Sequence, residues 1–126
     1  MAHLKVLLLS LLAVFAPAQA MILSSSLLVL VDLITGVLAA KKRGEKITSQ
    51  GLSRTVAKLV IYESAILLAF ITQTYLTGNT IPVASVVAGF VGITEMLSCM
   101  ENLNSLSGTD LLKVLIKRLS NKSKID

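Results

Sequence analysis

Residues 22–44 read ILSSSLLVLVDLITGVLAAKKRG, an apolar run that ends in three consecutive basic residues and carries one acid, Asp32, near its middle. From 22 to 40 the run measures ~28 Å as an α-helix, close to the ~30 Å hydrocarbon core of a bilayer. An aspartate at mid-span opposes insertion by about 2.5–3.5 kcal/mol, and each neighbouring Leu, Ile or Val favours it by about 0.3–0.6 kcal/mol. The run therefore inserts in spite of Asp32, and stability alone gives no reason for the acid to be there.

The same pattern holds along the rest of the chain. Lys5 and Asp32 are separated by 26 uncharged residues, and Glu63 and Glu95 by 31. Both stretches exceed the ~18 residues that mark a membrane-span candidate. The whole chain has 126 residues, 54% hydrophobic and 15% charged. A soluble domain of that length has too little interior for so much apolar surface, which excludes a soluble enzyme, a dinucleotide-binding fold or a nucleic-acid domain despite the net charge of +5. The expected class is an all-α membrane protein.

At the amino end, Lys5, the apolar run Val6–Phe15 and Ala16-Pro17-Ala18-Gln19-Ala20 have the form of a cleavable leader. Because the apolar stretch resumes at Met21 and runs to Ala40, residues 4–20 are read as a short uncleaved span, with removal of the leader as the alternative. One helix from Lys5 to Lys41 would be ~53 Å long, so a reversal is expected around Pro17 and Ser24–Ser26. Four short spans follow, at 4–20, 22–40, 57–76 and 81–99. Gly44, Gly51 and the Thr48-Ser49-Gln50 cluster read as a turn into a helix from about Arg54, and Thr77–Pro82 as a tight hairpin. After a polar joint at 103–108, residues 109–119 place Leu112, Leu115, Ile116 and Leu119 opposite Lys113 and Lys117. That is the pattern of an amphipathic interfacial helix capped by Thr109, a solvated tail being the alternative. The expected organisation is one transmembrane domain over 1–102 and a basic cytoplasmic tail over 103–126.

Orientation comes from the basic residues. Lys41, Lys42, Arg43, Lys46, Arg54 and Lys58 stand against Glu45 in the central connection, and Lys113, Lys117 and Arg118 belong to a second basic segment. By the positive-inside rule both segments are cytoplasmic, and with four spans both termini are too, leaving the turns near Pro17 and Asn79 outside. These cations are expected to set topology and to contact lipid headgroups, with no nucleic-acid partner.

Polar and small residues inside the spans fall on helical faces. One face carries Asp32, Thr35, Gly36 and Ala39 or Ala40; another carries Ala84, Ala88, Gly92, Glu95, Cys99 and Asn102; a third carries Glu63, Ile66, Phe70 and Gln73. These faces either pack inside one subunit or meet between subunits around water. Glu63 and Glu95 are also within reach of an ion pair with Lys58 or Arg54. No catalytic set, nucleotide loop or cofactor motif is present in the sequence, and one His with one Cys is no basis for a metal site.

The run Asp32-Leu33-Ile34-Thr35-Gly36 closing a hydrophobic helix, followed by Gly44, Ser49, Gly51 and Lys58, resembles the phage lysis holins of the toxin-secretion type. The likeness continues through Glu95, Ser98, Glu101 and Asn102 and the Gly108 joint, over roughly residues 22–119. The resemblance implies a homo-oligomer in the bacterial cytoplasmic membrane that opens holes and releases a cell-wall-degrading enzyme. An endolysin would then be linked to it functionally without direct binding. A structural or assembly protein of an envelope-spanning complex and a small ion channel are the other readings that these residues allow.

Overall fold

The computed structural model describes residues 1–122. The described chain is built of helices: α1 (Ala2–Phe15), a 3-10 turn (Ala16–Ala18), α2 (Gln19–Lys42), α3 (Ser49–Ile71) prolonged by a π-helical turn (Thr72–Leu76), α4 (Val83–Ser107) and α5 (Leu111–Lys122). Three helical stretches are long and apolar enough to cross a membrane, His3–Lys42, Ser49–Leu76 and Val83–Ser107.

The expected fourth span does not exist as a separate helix, because the chain does not reverse at Pro17. Pro17 occupies the first turn of the 3-10 segment, where its missing N–H has no intrahelical partner to lose, and Phe15, Ala16, Ala18 and Gln19 all keep right-handed helical angles. The first 35 residues contain no glycine, so no residue there reverses the chain cheaply. The observed reversal between α3 and α4 has what that segment lacks, left-handed angles at Gly78 (φ 55) and Asn79 (φ 61). α1 prolongs α2 past the bundle, and its large apolar side chains are exposed up to Phe15, whose ring lies 6.3 Å from that of Phe70.

α2 and α4 run parallel, since their partners rise in number together: Leu28 with Cys99, Asp32 with Asn102, Lys42 with Leu106. α3 is antiparallel to α2, with Lys58 on Asp32, Glu63 on Ser25 and Phe70 on Phe15. The interior is made mostly of small or β-branched residues, among them Ala18, Val29, Ala39, Ala69, Ala84, Val91 and Cys99. Leu23, Leu27, Leu30, Leu68, Phe90 and Ile93 point outward. That distribution inverts a soluble core and suits a lipid environment, where small residues let backbones approach and large apolar ones face acyl chains.

Three boundaries differ from the sequence expectation. α3 begins at Ser49 rather than near Arg54, because Thr48 is extended and its Oγ1 accepts from the Gly51 N–H at 3.4 Å. α4 continues through 103–107, expected as a joint, and stops at Gly108, whose left-handed angles close the helix. α5 is capped by Asp110, whose Oδ1 accepts from the Lys113 N–H at 3.0 Å, and not by Thr109. Asn104 Oδ1 takes the Leu111 N–H at 2.8 Å, tying α5 to the end of α4. Val114, Leu115, Ile116 and Leu119 on α5 are exposed. The last part of the expected tail, 123–126 with Lys124 and Asp126, lies outside the described residues.

Candidate functional site

Asp32, Lys58 and Glu95 come from three different helices and meet at one point. The Lys58 Nζ donates to Asp32 Oδ2 at 2.8 Å and lies 3.1 Å from the Glu95 carboxylate. One turn along α3, the Tyr62 hydroxyl donates to Glu95 Oε1 at 2.9 Å. The i, i+4 spacing of Lys58 and Tyr62 places both on the α3 face that Glu95 meets. Glu95 is fully buried, the Asp32 side chain is 14% exposed and Lys58 is 35% exposed, so the cluster is sealed on the Glu95 side and open on the Lys58 side. This cation answers the question raised by Asp32 alone: the acid is paired.

The Asp32-x-x-Thr35-Gly36 spacing acts as a unit. Asn102 Nδ2 donates to Asp32 Oδ1 at 3.0 Å and sits 3.2 Å from Thr35 Oγ1. A Cβ on Gly36 would lie 3.4 Å from Asn102 Nδ2, in contact with it, so Asn102 packs directly over the glycine as it reaches Asp32. On α4 the small residues Ala84, Ala88, Gly92 and Cys99 share the face that carries Glu95 and Asn102; Ala84 and Cys99 are buried, and Gly92 lies against Leu28 of α2. The two small-residue faces left open by the sequence thus meet within one chain.

Glu63 lies elsewhere, away from the basic cluster. Its Oε1 accepts from the Ser25 and Ser26 hydroxyls at 2.8 and 2.9 Å, and its Oε2 is buried without a hydrogen-bond partner among the described residues. The serines expected to break the chain therefore hold an acid from the neighbouring helix. Gln73 is a turn residue: its Oε1 accepts from the Ala84 N–H at 3.0 Å and its Nε2 donates to Asn79 Oδ1 at 3.4 Å, capping α4. Glu101 is exposed, and Ser98 lines a cleft described below.

At the basic end, Lys42 donates to the Leu106 carbonyl at 2.7 Å and Arg43 to Ser105 Oγ at 3.0 Å, closing the carboxyl end of α4 against that of α2. Arg43 also grips Glu45 through two hydrogen bonds, which raise the guanidinium and lower the Glu45 carboxyl from their ordinary values. Two of the three consecutive cations are thus engaged within the chain. Lys41, Lys46, Arg54, Lys113, Lys117 and Arg118 are exposed.

A cleft of about 340 Å³ opens beside Lys58, between the second half of α2 and the first half of α3, with Ser98 and Asn102 of α4 behind it. Sequence reasoning counted Lys58 with the basic connection at the start of the 57–76 span and named it as an ion-pair partner for Glu95, the pair that forms; it did not bring Asp32 to Lys58, and it missed Tyr62, Ser25 and Ser26 as partners. The spacing of Lys58 and Tyr62 was the available signal, but it names a face and not the helix opposite. Among the described residues no group of three or more His, Cys, Asp or Glu could hold a metal ion.

Residues 9–123 match the Bacteriophage holin family. No curated protein and no solved structure matches the chain. The matched range takes in the Asp32–Lys58–Glu95 cluster, most of the first apolar span, the whole of the other two and α5, and on that evidence the chain belongs to the bacteriophage holin family, whose members are non-catalytic membrane proteins.

Proposed function

We propose that the protein oligomerises in the bacterial cytoplasmic membrane and permeabilises it, letting a cell-wall-degrading enzyme through by diffusion. The observation that carries this reading is the one-sided exposure of the charged cluster. Lys58 and Asp32 open onto a cleft on the flank of an otherwise apolar three-helix unit. A charged cleft facing acyl chains is costly, and copies that turn these clefts toward a common aqueous space remove that cost. The loops at 43–48 and 77–82 are short, leaving little extramembrane surface to dock an enzyme.

The orientation follows the basic segments. With 43–48 and α5 cytoplasmic, three crossings place the amino end on the opposite side of the membrane. The expected cytoplasmic amino terminus depended on a reversal at Pro17, so the proposal now assigns that end to the outer face.

Expression in bacteria, with release of a small dye and of an enzyme-sized dextran followed in parallel, tests the reading together with the oligomer size in lipid. Release of both with a multimeric species is expected, and Asp32→Asn is expected to shift its timing. A monomer that releases neither at any expression level would return the protein to a structural or assembly role. Release of ions alone would make it a channel.

A further inference from the structure

We propose that the cleft beside Lys58 is a binding site for the headgroup of an anionic phospholipid of the cytoplasmic leaflet. Its rim carries Lys46 and Arg54, and neither makes an ion pair within the chain among the described residues. Lys42 and Arg43, by contrast, are held by α4 and Glu45. The one acid in the cleft, Asp32, already has Lys58 and Asn102 as partners, so the cleft presents an excess of positive charge.

The walls decide between a lipid and a free anion. Leu33 and Val37 of α2 face Ile47 and Leu52 across the cleft. A free phosphate gains nothing from such walls. A phosphodiester with a glycerol backbone and the first methylenes of its chains satisfies the cations and buries apolar surface at once. The cleft's volume of about 340 Å³ is in the range of small-ligand sites. Its position between the basic loop and the charged cluster is the depth at which a headgroup passes into the acyl region. The site belongs to the chain in the intact bilayer, with its basic loop at an anionic surface and before copies turn their clefts toward a common aqueous space, so lipid binding is read on the unopened protein.

The test uses the full chain in detergent, incubated with equal amounts of dioleoylphosphatidylglycerol and dioleoylphosphatidylcholine, and native mass spectrometry to count each bound lipid. The wild type is expected to retain phosphatidylglycerol over phosphatidylcholine, and Lys46→Gln/Arg54→Gln to lower that ratio about tenfold. The swap Lys46→Arg/Arg54→Lys keeps both charges and is expected to keep the preference. Gly51→Leu adds bulk at a cleft-lining position without changing charge; its Cβ has Thr48 Oγ1 as nearest neighbour at 4.0 Å, so the first side-chain atom enters without a clash. It is expected to abolish the preference, with helicity by circular dichroism unchanged in every variant. A wild type without preference, or a Gly51→Leu variant that keeps it, overturns the site. Displacement of bound phosphatidylglycerol by inorganic phosphate would reassign the cleft to a free anion, and failure of dextran release would leave these outcomes untouched.

Discussion

The Lys58 ammonium lies 2.8 Å from the Asp32 carboxylate and 3.1 Å from that of Glu95, so a single cation from α3 holds an acid from each of the other two spans. Each neighbouring group extends this arrangement. Tyr62 covers the second oxygen of the buried acid, and Asn102 covers the second oxygen of the partly exposed one. The three helices are thereby joined at a point where hydrophobic burial contributes nothing to holding them together in lipid.

Removing the cation alone leaves two carboxylates facing each other. Lys58→Met is expected to lower stability by about 3–5 kcal/mol, the cost of stranding buried charge. Lys58→Met/Asp32→Asn/Glu95→Gln, neutral throughout, is expected to recover most of that loss. Thermal unfolding in detergent decides it, and a triple variant as unstable as the single one would show that packing, not charge, is at stake.

Gly36 and Gly89 have the same type of residue in opposite settings. Gly36→Ala brings its Cβ into contact with Asn102 Nδ2 at 3.4 Å, and the small shift this asks of Asn102 is expected to cancel the helix-propensity gain or to cost up to about 1 kcal/mol. Gly89→Ala meets nothing within 4 Å and is expected to be neutral, or to stabilise by up to about 1 kcal/mol through helix propensity. Equal melting temperatures for the two variants would refute the contrast.

Ser25 and Ser26 share one acceptor, Glu63 Oε1, and the other carboxylate oxygen has no hydrogen-bond partner among the described residues. Either single alanine leaves one donor and is expected to cost about 0.5–1.5 kcal/mol. Ser25→Ala/Ser26→Ala leaves none and is expected to cost more than the sum of the two, because the half-buried acid then has no donor. Strict additivity in a double-mutant cycle would rule this out.

Asp110 and Thr109 compete as the start of α5. Asp110→Ala is expected to destabilise α5 by about 1 kcal/mol, seen as faster amide exchange over 111–118, and Thr109→Ala to leave exchange there unchanged. The opposite ranking would assign the cap to Thr109.

Much of the fold was legible in single residues. Gly78 with Asn79 marks a reversal, as their residue types require, and the faces bearing Asp32, Thr35, Gly36 and Ala84, Ala88, Glu95, Asn102 are the faces that pack, whereas the polar run 103–107, read as a joint, continues α4 to Gly108. Pro17 misled because a proline signals the loss of one N–H, and whether that loss bends, breaks or spares a helix depends on where the turn begins. The Lys58–Glu95 pair was among the contacts that the sequence allowed, but the sharing of Lys58 with Asp32 was not, because a cation beside a basic loop carries no local sign of which helices its side chain meets.

The sequence by itself determined a membrane protein of long apolar helices with basic segments at their flanks, because hydropathy, periodicity and turn chemistry are local properties of consecutive residues. Only the tertiary structure decided that His3–Lys42 continues as one helical stretch through the 3-10 turn at Pro17 and that Asp32 and Glu95 share Lys58. Charge pairing depends on which helical faces meet and in what register, and residues 26 and 37 positions apart have no local signal that specifies it.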